Sequence, residues 1–208
     1  MSVASRVETQ WRAAVDRTGA PGATALVAVM VAVATLQQVL LPALGVPKPV
    51  LQRAFYFHTN RPAWLWAVAT SAVAHGGFLH LVINVQLVLG FGSIIEPDYG
   101  TGPLLAAFAA GALGALGAGF ALQTAIGGAE SYVGSSGGAF GMLGWLAGQN
   151  PQRSLPTVPP GPVWAIAALV CGVSVGVVFV YGVGAFGIAH VPHVGSLLAG
   201  GIVGATFR

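Results

Sequence analysis

The sequence predicts an all-α membrane protein, a bundle of six spanning helices with a membrane-embedded first loop. Three observations carry that prediction. Apolar residues make up 55% of the 208 positions, and Gly contributes 31 more. Charged residues amount to only 6%, against ~25% in a soluble domain, so a water-facing surface could not be covered. Long uncharged runs recur at about the 20 residues that a helical span requires. These features exclude a soluble enzyme, and also a disordered chain, which needs low hydrophobicity and high charge. The net charge of +3 is small and scattered, which argues against a nucleic-acid partner. Cys171 is the single cysteine, which excludes a disulfide framework and a Cys-based zinc site.

Residues 1–22 form a polar segment with Arg6, Glu8, Arg12, Asp16 and Arg17, expected on the cytoplasmic side. The membrane domain is expected over 23–208. Its first span is Ala23 to Leu44, longer than the ~7–15-residue core of a signal peptide and so expected to be retained. Residues 45–62, with Lys48, Arg53, Arg61 and three prolines, read as an interfacial loop. From Ala63 to Ile95 there are 33 uncharged residues, too many for one span and too few for two. Gly76-Gly77 marks the break, because glycine weakens a helix interior. A short, partly embedded element precedes it. A span from Phe78 to Ile95 follows, closed by Glu96, Asp98 and Gly100, and Thr101 to Thr124 makes the third.

Ser136 to Gln149 offers only 14 residues before Asn150-Pro151-Gln152-Arg153. Such a helix reaches about 21 Å, short of a ~30 Å hydrocarbon core. With one end at Asn150, its other end starts inside the membrane, where irregular backbone survives only inside protein or beside a wet cavity. Val163 to Phe207 is 45 uncharged residues, enough for two helices turning at Gly182, Gly184 and Gly187. Six spans put both termini on one side. Arg6, Arg12, Arg17, Arg153 and Arg208 fall there, against Lys48, Arg53 and Arg61 opposite, which places the termini in the cytoplasm.

Polar groups inside a membrane are costly and default to functional candidates. They form three clusters: His75/His80/Asn84, Ser135/Ser136 and His190/His193. His80 and Asn84, four residues apart, share a helix face. Ser136 opens the short helix, where free backbone N–H groups can stabilise an oxyanion. Gly137, Gly141, Gly144 and Gly148 give that helix a small-residue face, and Gly137 and Gly141 are expected against the last helix near Gly195 and Ala199. Each cluster alone also fits a packing or helix-joining role. Zinc is the competing reading for four histidines, but no HExxH occurs and no acid lies within the clusters, so no metal is expected.

Together the clusters resemble the rhomboid family of intramembrane serine proteases, in the family's order from about Arg61 to Gly204. The family's HxxxxHxxxN reads His75-Gly-Gly-Phe-Leu-His80-Leu-Val-Ile-Asn84, and GxSG reads Gly134-Ser135-Ser136-Gly137. The last helix carries a histidine and small-residue tail as His193-Val-Gly195-Ser-Leu-Leu-Ala199-Gly200. The resemblance implies the basic six-span prokaryotic form, with Ser136 as nucleophile, Ser135 at the variable position, and His193 rather than His190 as its base. It implies an oxyanion site made by the Ser136 backbone N–H with His80 and Asn84, and supporting roles for His75, Gly134, Gly137 and Phe140. Phe140, where the family often has Tyr or Phe, could stack under His193 but brings no hydroxyl. Arg61-Pro62-Ala63-Trp64 stands where a Trp-Arg pair is common.

A serine hydroxyl needs a base within reach, and a carboxylate usually orients that base. Glu96 lies about 18 Å along its helix from Asn84, which puts it and Asp98 at the far end. Glu130 lies in a loop that nothing requires to approach, so a Ser–His dyad is expected. The implied substrates are membrane-anchored proteins cut within or near a transmembrane helix, with the bilayer as the other partner and no cofactor. One alternative is a rhomboid-like protein that binds or escorts clients without cutting them. A transporter or channel would often carry intramembrane acids or repeated halves, and neither is found.

Overall fold

The computed structural model describes residues 3–156, 159–183, 185 and 188–207. Gly184, Gly187 and Arg208, and the side chain of Arg6, lie outside the described residues. The chain is helical almost throughout, with α1 (Val3–Thr18), α2 (Pro21–Thr35), a π-helical turn (Leu36–Leu40), α3 (Leu41–Ala43), α4 (Lys48–Phe55) and α5 (Trp66–Ser71). Then come α6 (Phe78–Tyr99), α7 (Thr101–Ile126), α8 (Ser136–Gln149), α9 (Val163–Tyr181) and α10 (His190–Thr206). Two antiparallel two-residue pairings pin the loops: β1 (Phe57–His58) with β2 (Ser131–Tyr132), and β3 (Ser154–Leu155) with β4 (Gly161–Pro162).

Among the described residues, four helical stretches are long and apolar enough to cross a membrane: Pro21–Ala43, Phe78–Tyr99, Thr101–Ile126 and Val163–Tyr181. The two remaining helices of the bundle are shorter, α8 at 14 residues and α10 at 17. α8 is the interior of the molecule, and α10 buries one face while exposing Leu198 and Ile202 on the other. α8 packs on α7 and α10, and α10 packs on α7. From Gly137 to Leu146 every α8 residue except Phe140 is buried. α2 covers α6, while α9 leans on α10 and α8 at the periphery.

The contacts of α8 are made possible by glycine, and they correct one expectation. Gly137 and Gly141 face α7: a Cβ on Gly137 would strike Ala115, and one on Gly141 the backbone of Gly111 and Ala107. Gly144 and Gly148 instead meet the backbone of α10 at Leu197 and Gly201. Gly195 and Ala199 sit against Gly114 of α7, and the approach of α10 to Gly141 is made by Gly200. One stripe of small residues thus serves two neighbours, because α8 is wedged between them.

Other boundaries also move. The polar N-terminal segment folds as α1. The interfacial loop contains α4, started by Pro47 and Pro49, since proline suits a helix's first turn. α6 does not stop at Ile95 but runs through Glu96, Pro97 and Asp98 to Gly100, whose φ of +89° ends it. Glu96 is buried because it is a cap: its carboxylate accepts the backbone N–H of Gly22 at 2.7 Å and Ala23 at 3.0 Å, and the hydroxyl of Thr101. A negative charge belongs at the start of a helix, and here it ties α2 to α6. Asp98 pairs with Arg153 at the same end.

Candidate active site

The residues singled out by the sequence converge where α6, α8 and α10 meet. His80 and Asn84 come from the first two turns of α6, Ser136 from the first residue of α8, and His193 from the first turn of α10. His193 Nε2 lies 3.0 Å from Ser136 Oγ. The ring of Phe140, one turn along α8, sits under that of His193 with centroids 4.5 Å apart and planes at 47°. His80, Asn84, Ser136, Phe140 and His193 all line one open cavity of about 940 Å³. Its far wall is formed by α9, from Leu169 to Ser174.

Local structure explains why Ser136 is presented. The first backbone bond at that end runs from Ala139 N–H to Ser135 C=O at 2.9 Å. The N–H groups of Ser136, Gly137 and Gly138 therefore precede the helical ladder. Gly134 turns the chain into the helix with φ +124°, a conformation that favours glycine. A Cβ there would also lie 2.5 Å from the His80 ring. Its N–H donates to Ser71 C=O at 2.8 Å, which fixes the turn to the embedded loop element.

His80 and Asn84 differ in how they are held. Gly76 N–H donates to His80 Nδ1 at 3.4 Å, which assigns the ring proton to Nε2. Asn84 is buried and donates one amide N–H to the His80 carbonyl at 2.8 Å. An amide nitrogen carries two donors, so one remains. His75 is not part of the cavity wall. It is fully buried, with Nε2 3.1 Å from Ser135 Oγ and its ring edge-on to His80 at 5.3 Å.

Among the described residues no carboxylate bonds to His193. Glu96 and Asp98 are engaged elsewhere. Glu130 has its backbone tied to Thr59 and borders a separate cavity with Gln123, Ser131, Tyr132 and His190. Tyr132 lines the pocket beside Ser136. Burial pushes its phenol up, the hydrogen bond with Gln123 opposes this, and the charge of Glu130 adds to it. It stays neutral. His190 is buried at the start of α10, and its Nε2 has no partner among the described residues.

Sequence reasoning passed over two residues that support this region. Gln38 Nε2 donates to the His75 carbonyl at 3.0 Å, and Gln37 Oε1 accepts the His75 N–H at 3.2 Å. They sit in the π turn of the first span. The signal was present, since an adjacent polar pair inside an apolar span falls under the rule that selected the other clusters.

Comparison with known proteins adds one finding. The Rhomboid domain family model matches residues 62–208. No curated protein matches the chain.

Proposed function

The chain belongs to the rhomboid family, a multi-pass membrane protein, and from that premise we propose that it is an intramembrane serine endopeptidase. The observation that carries this reading is the 3.0 Å approach of His193 Nε2 to Ser136 Oγ at the wall of an open cavity. In the proposed reaction the Ser136 hydroxyl gives its proton to His193 Nε2 as its oxygen attacks the scissile carbonyl. The tetrahedral oxyanion is held by the Ser136 N–H, by His80 Nε2–H and by the second N–H of Asn84. His193 then protonates the leaving amine. Water then attacks the acyl carbonyl and gives its proton to His193; collapse breaks the acyl bond, releases the acid and returns that proton from His193 to Ser136 Oγ.

The proposed substrates are membrane-anchored proteins. An α-helix hides its carbonyls in backbone bonds, so the cut segment must unwind, and helix-weakening residues near the cut favour it. With the termini in the cytoplasm of a cell-membrane protein, as the arginine distribution supports, the dyad opens toward the outer side. A fluorophosphonate and a labelled transmembrane substrate test the proposal in purified protein. Ser136 is labelled and the substrate cut, Ser136→Ala abolishes both, Ser135→Ala leaves labelling of Ser136, and His193→Ala loses it where His190→Ala does not. Wild-type protein that is folded but neither labelled nor active is instead a client-binding member of the family.

A further inference from the structure

The residue before the nucleophile occupies an unusual state for its type and position. Ser135 is the N-cap of α8, and a serine there ordinarily turns its Oγ onto the second or third N–H of the helix, with extended backbone. Ser135 does neither. Its side chain makes no capping bond, its φ and ψ are −75° and 2°, and its Oγ is instead 3.1 Å from His75 Nε2. Both side chains are fully buried, so this is a built contact.

His75 is held in turn by its main chain. It lies between α5 and α6, outside any helical ladder, and its buried N–H and C=O require partners. Gln37 takes the N–H and Gln38 supplies a donor to the C=O. On an α-helix two successive residues diverge by about 100°. The π turn narrows that angle, and both amides reach the same residue; such turns occur often at functional sites.

We propose that Gln37, Gln38 and His75 are positioning residues whose task is to hold the Ser135 hydroxyl away from the start of α8. Resting on the protease reading, this keeps the helix start uncapped, its N–H groups and partial positive charge available to the oxyanion. It also holds Ser136 in the turn that faces His193. Freed from His75, Ser135 relaxes into an ordinary N-cap over Gly137 and Gly138, which offsets the positive charge of the helix start near the Ser136 N–H and re-aims the nucleophile.

The test is a double-mutant comparison, because structural damage and competition by the serine hydroxyl have different dependence on residue 135. Gln37→Leu/Gln38→Leu and, separately, His75→Leu are made in wild-type and Ser135→Ala backgrounds. Fluorophosphonate labelling, kcat and KM are compared within each background. Loss of the tether lowers labelling and kcat at least about tenfold with KM nearly constant when Ser135 is present. In the Ser135→Ala background the same changes cost less than about threefold. Equal losses in both backgrounds, or no loss in either, overturn the proposal. If the double glutamine variant does not fold, the His75→Leu pair decides. Amide exchange at Gly137 and Gly138 reads the tether without activity: it slows in the tether variants and recovers when Ser135→Ala is added. Unlabelled wild-type protein defeats the protease reading, while unchanged exchange in the tether variants defeats this one.

Discussion

At the scale of single residues, the site consists of groups too polar for a membrane, each with a stated partner. Asn84 gives one amide proton to its own helix and His80 takes its Nδ1 bond from Gly76. Neither bond holds the bundle together. His80→Ala and Asn84→Ala should therefore each lower kcat by about 10²–10³ while the melting temperature moves little. Substrate turnover measured beside thermal unfolding checks this, and near wild-type turnover in either variant would make that side chain structural. Gly134→Ala should cost about 10² in labelling rate, since it strains a φ of +124° and drives a methyl into His80. Pocket residues were legible in the sequence because an imidazole or amide in an apolar span stands out. Gln37 and Gln38 stand out less because they lie inside a run long enough to be a span, and because their partner is the backbone of His75, a loop residue distant in sequence.

At the scale of elements, run length and hydropathy located the helices, and the 14 residues of α8 set it apart from the longer spans. What the glycine stripe of α8 could not disclose is which neighbour each glycine meets. Residues 137, 141, 144 and 148 share one broad face, and only the crossing of α7 and α10 divides it between them. The second role of Glu96, as a cap, is hidden for a similar reason. A carboxylate near the end of an apolar run looks like a stop signal, whereas its role as a cap depends on the start of α2 arriving beside it. The division of the glycines has a measurable consequence. Gly141→Leu should unfold or strongly destabilise the protein in detergent, because even a Cβ added there would strike the backbone of α7, and overpacking costs about 1–3 kcal/mol or more. Gly176→Leu, on a stretch of α9 with nothing within 4 Å, should leave the melting temperature almost unchanged. Equal effects of the two substitutions would mean that α8 is not wedged as described.

At the scale of the whole molecule, rigidity and openness are placed at different sides. The α7, α8 and α10 triad joins Ser136 to His193 through backbones in contact, and the Glu96 cap locks α2 to α6 at the opposite end from the dyad. α9 is the exception: 11% of its apolar window is buried, against 33% for α7. Between α9 and α6 lies the cavity of about 940 Å³ that reaches Ser136. For the proposed transmembrane substrates, the packing of α7, α8 and α10 closes one side of Ser136, and the groove between α9 and α6 is the lateral route expected. Val173 lines it from α9 and is 54% exposed, which leaves room for a larger side chain without strain. Val173→Trp should therefore reduce cleavage of a transmembrane substrate at least about tenfold, through the groove's occupancy rather than through chemistry. Labelling of Ser136 by a small fluorophosphonate, which needs only the dyad and the oxyanion donors, should persist in the same variant. Parallel loss of both activities would place the effect on the site itself, and retention of both would mean that substrate helices enter elsewhere.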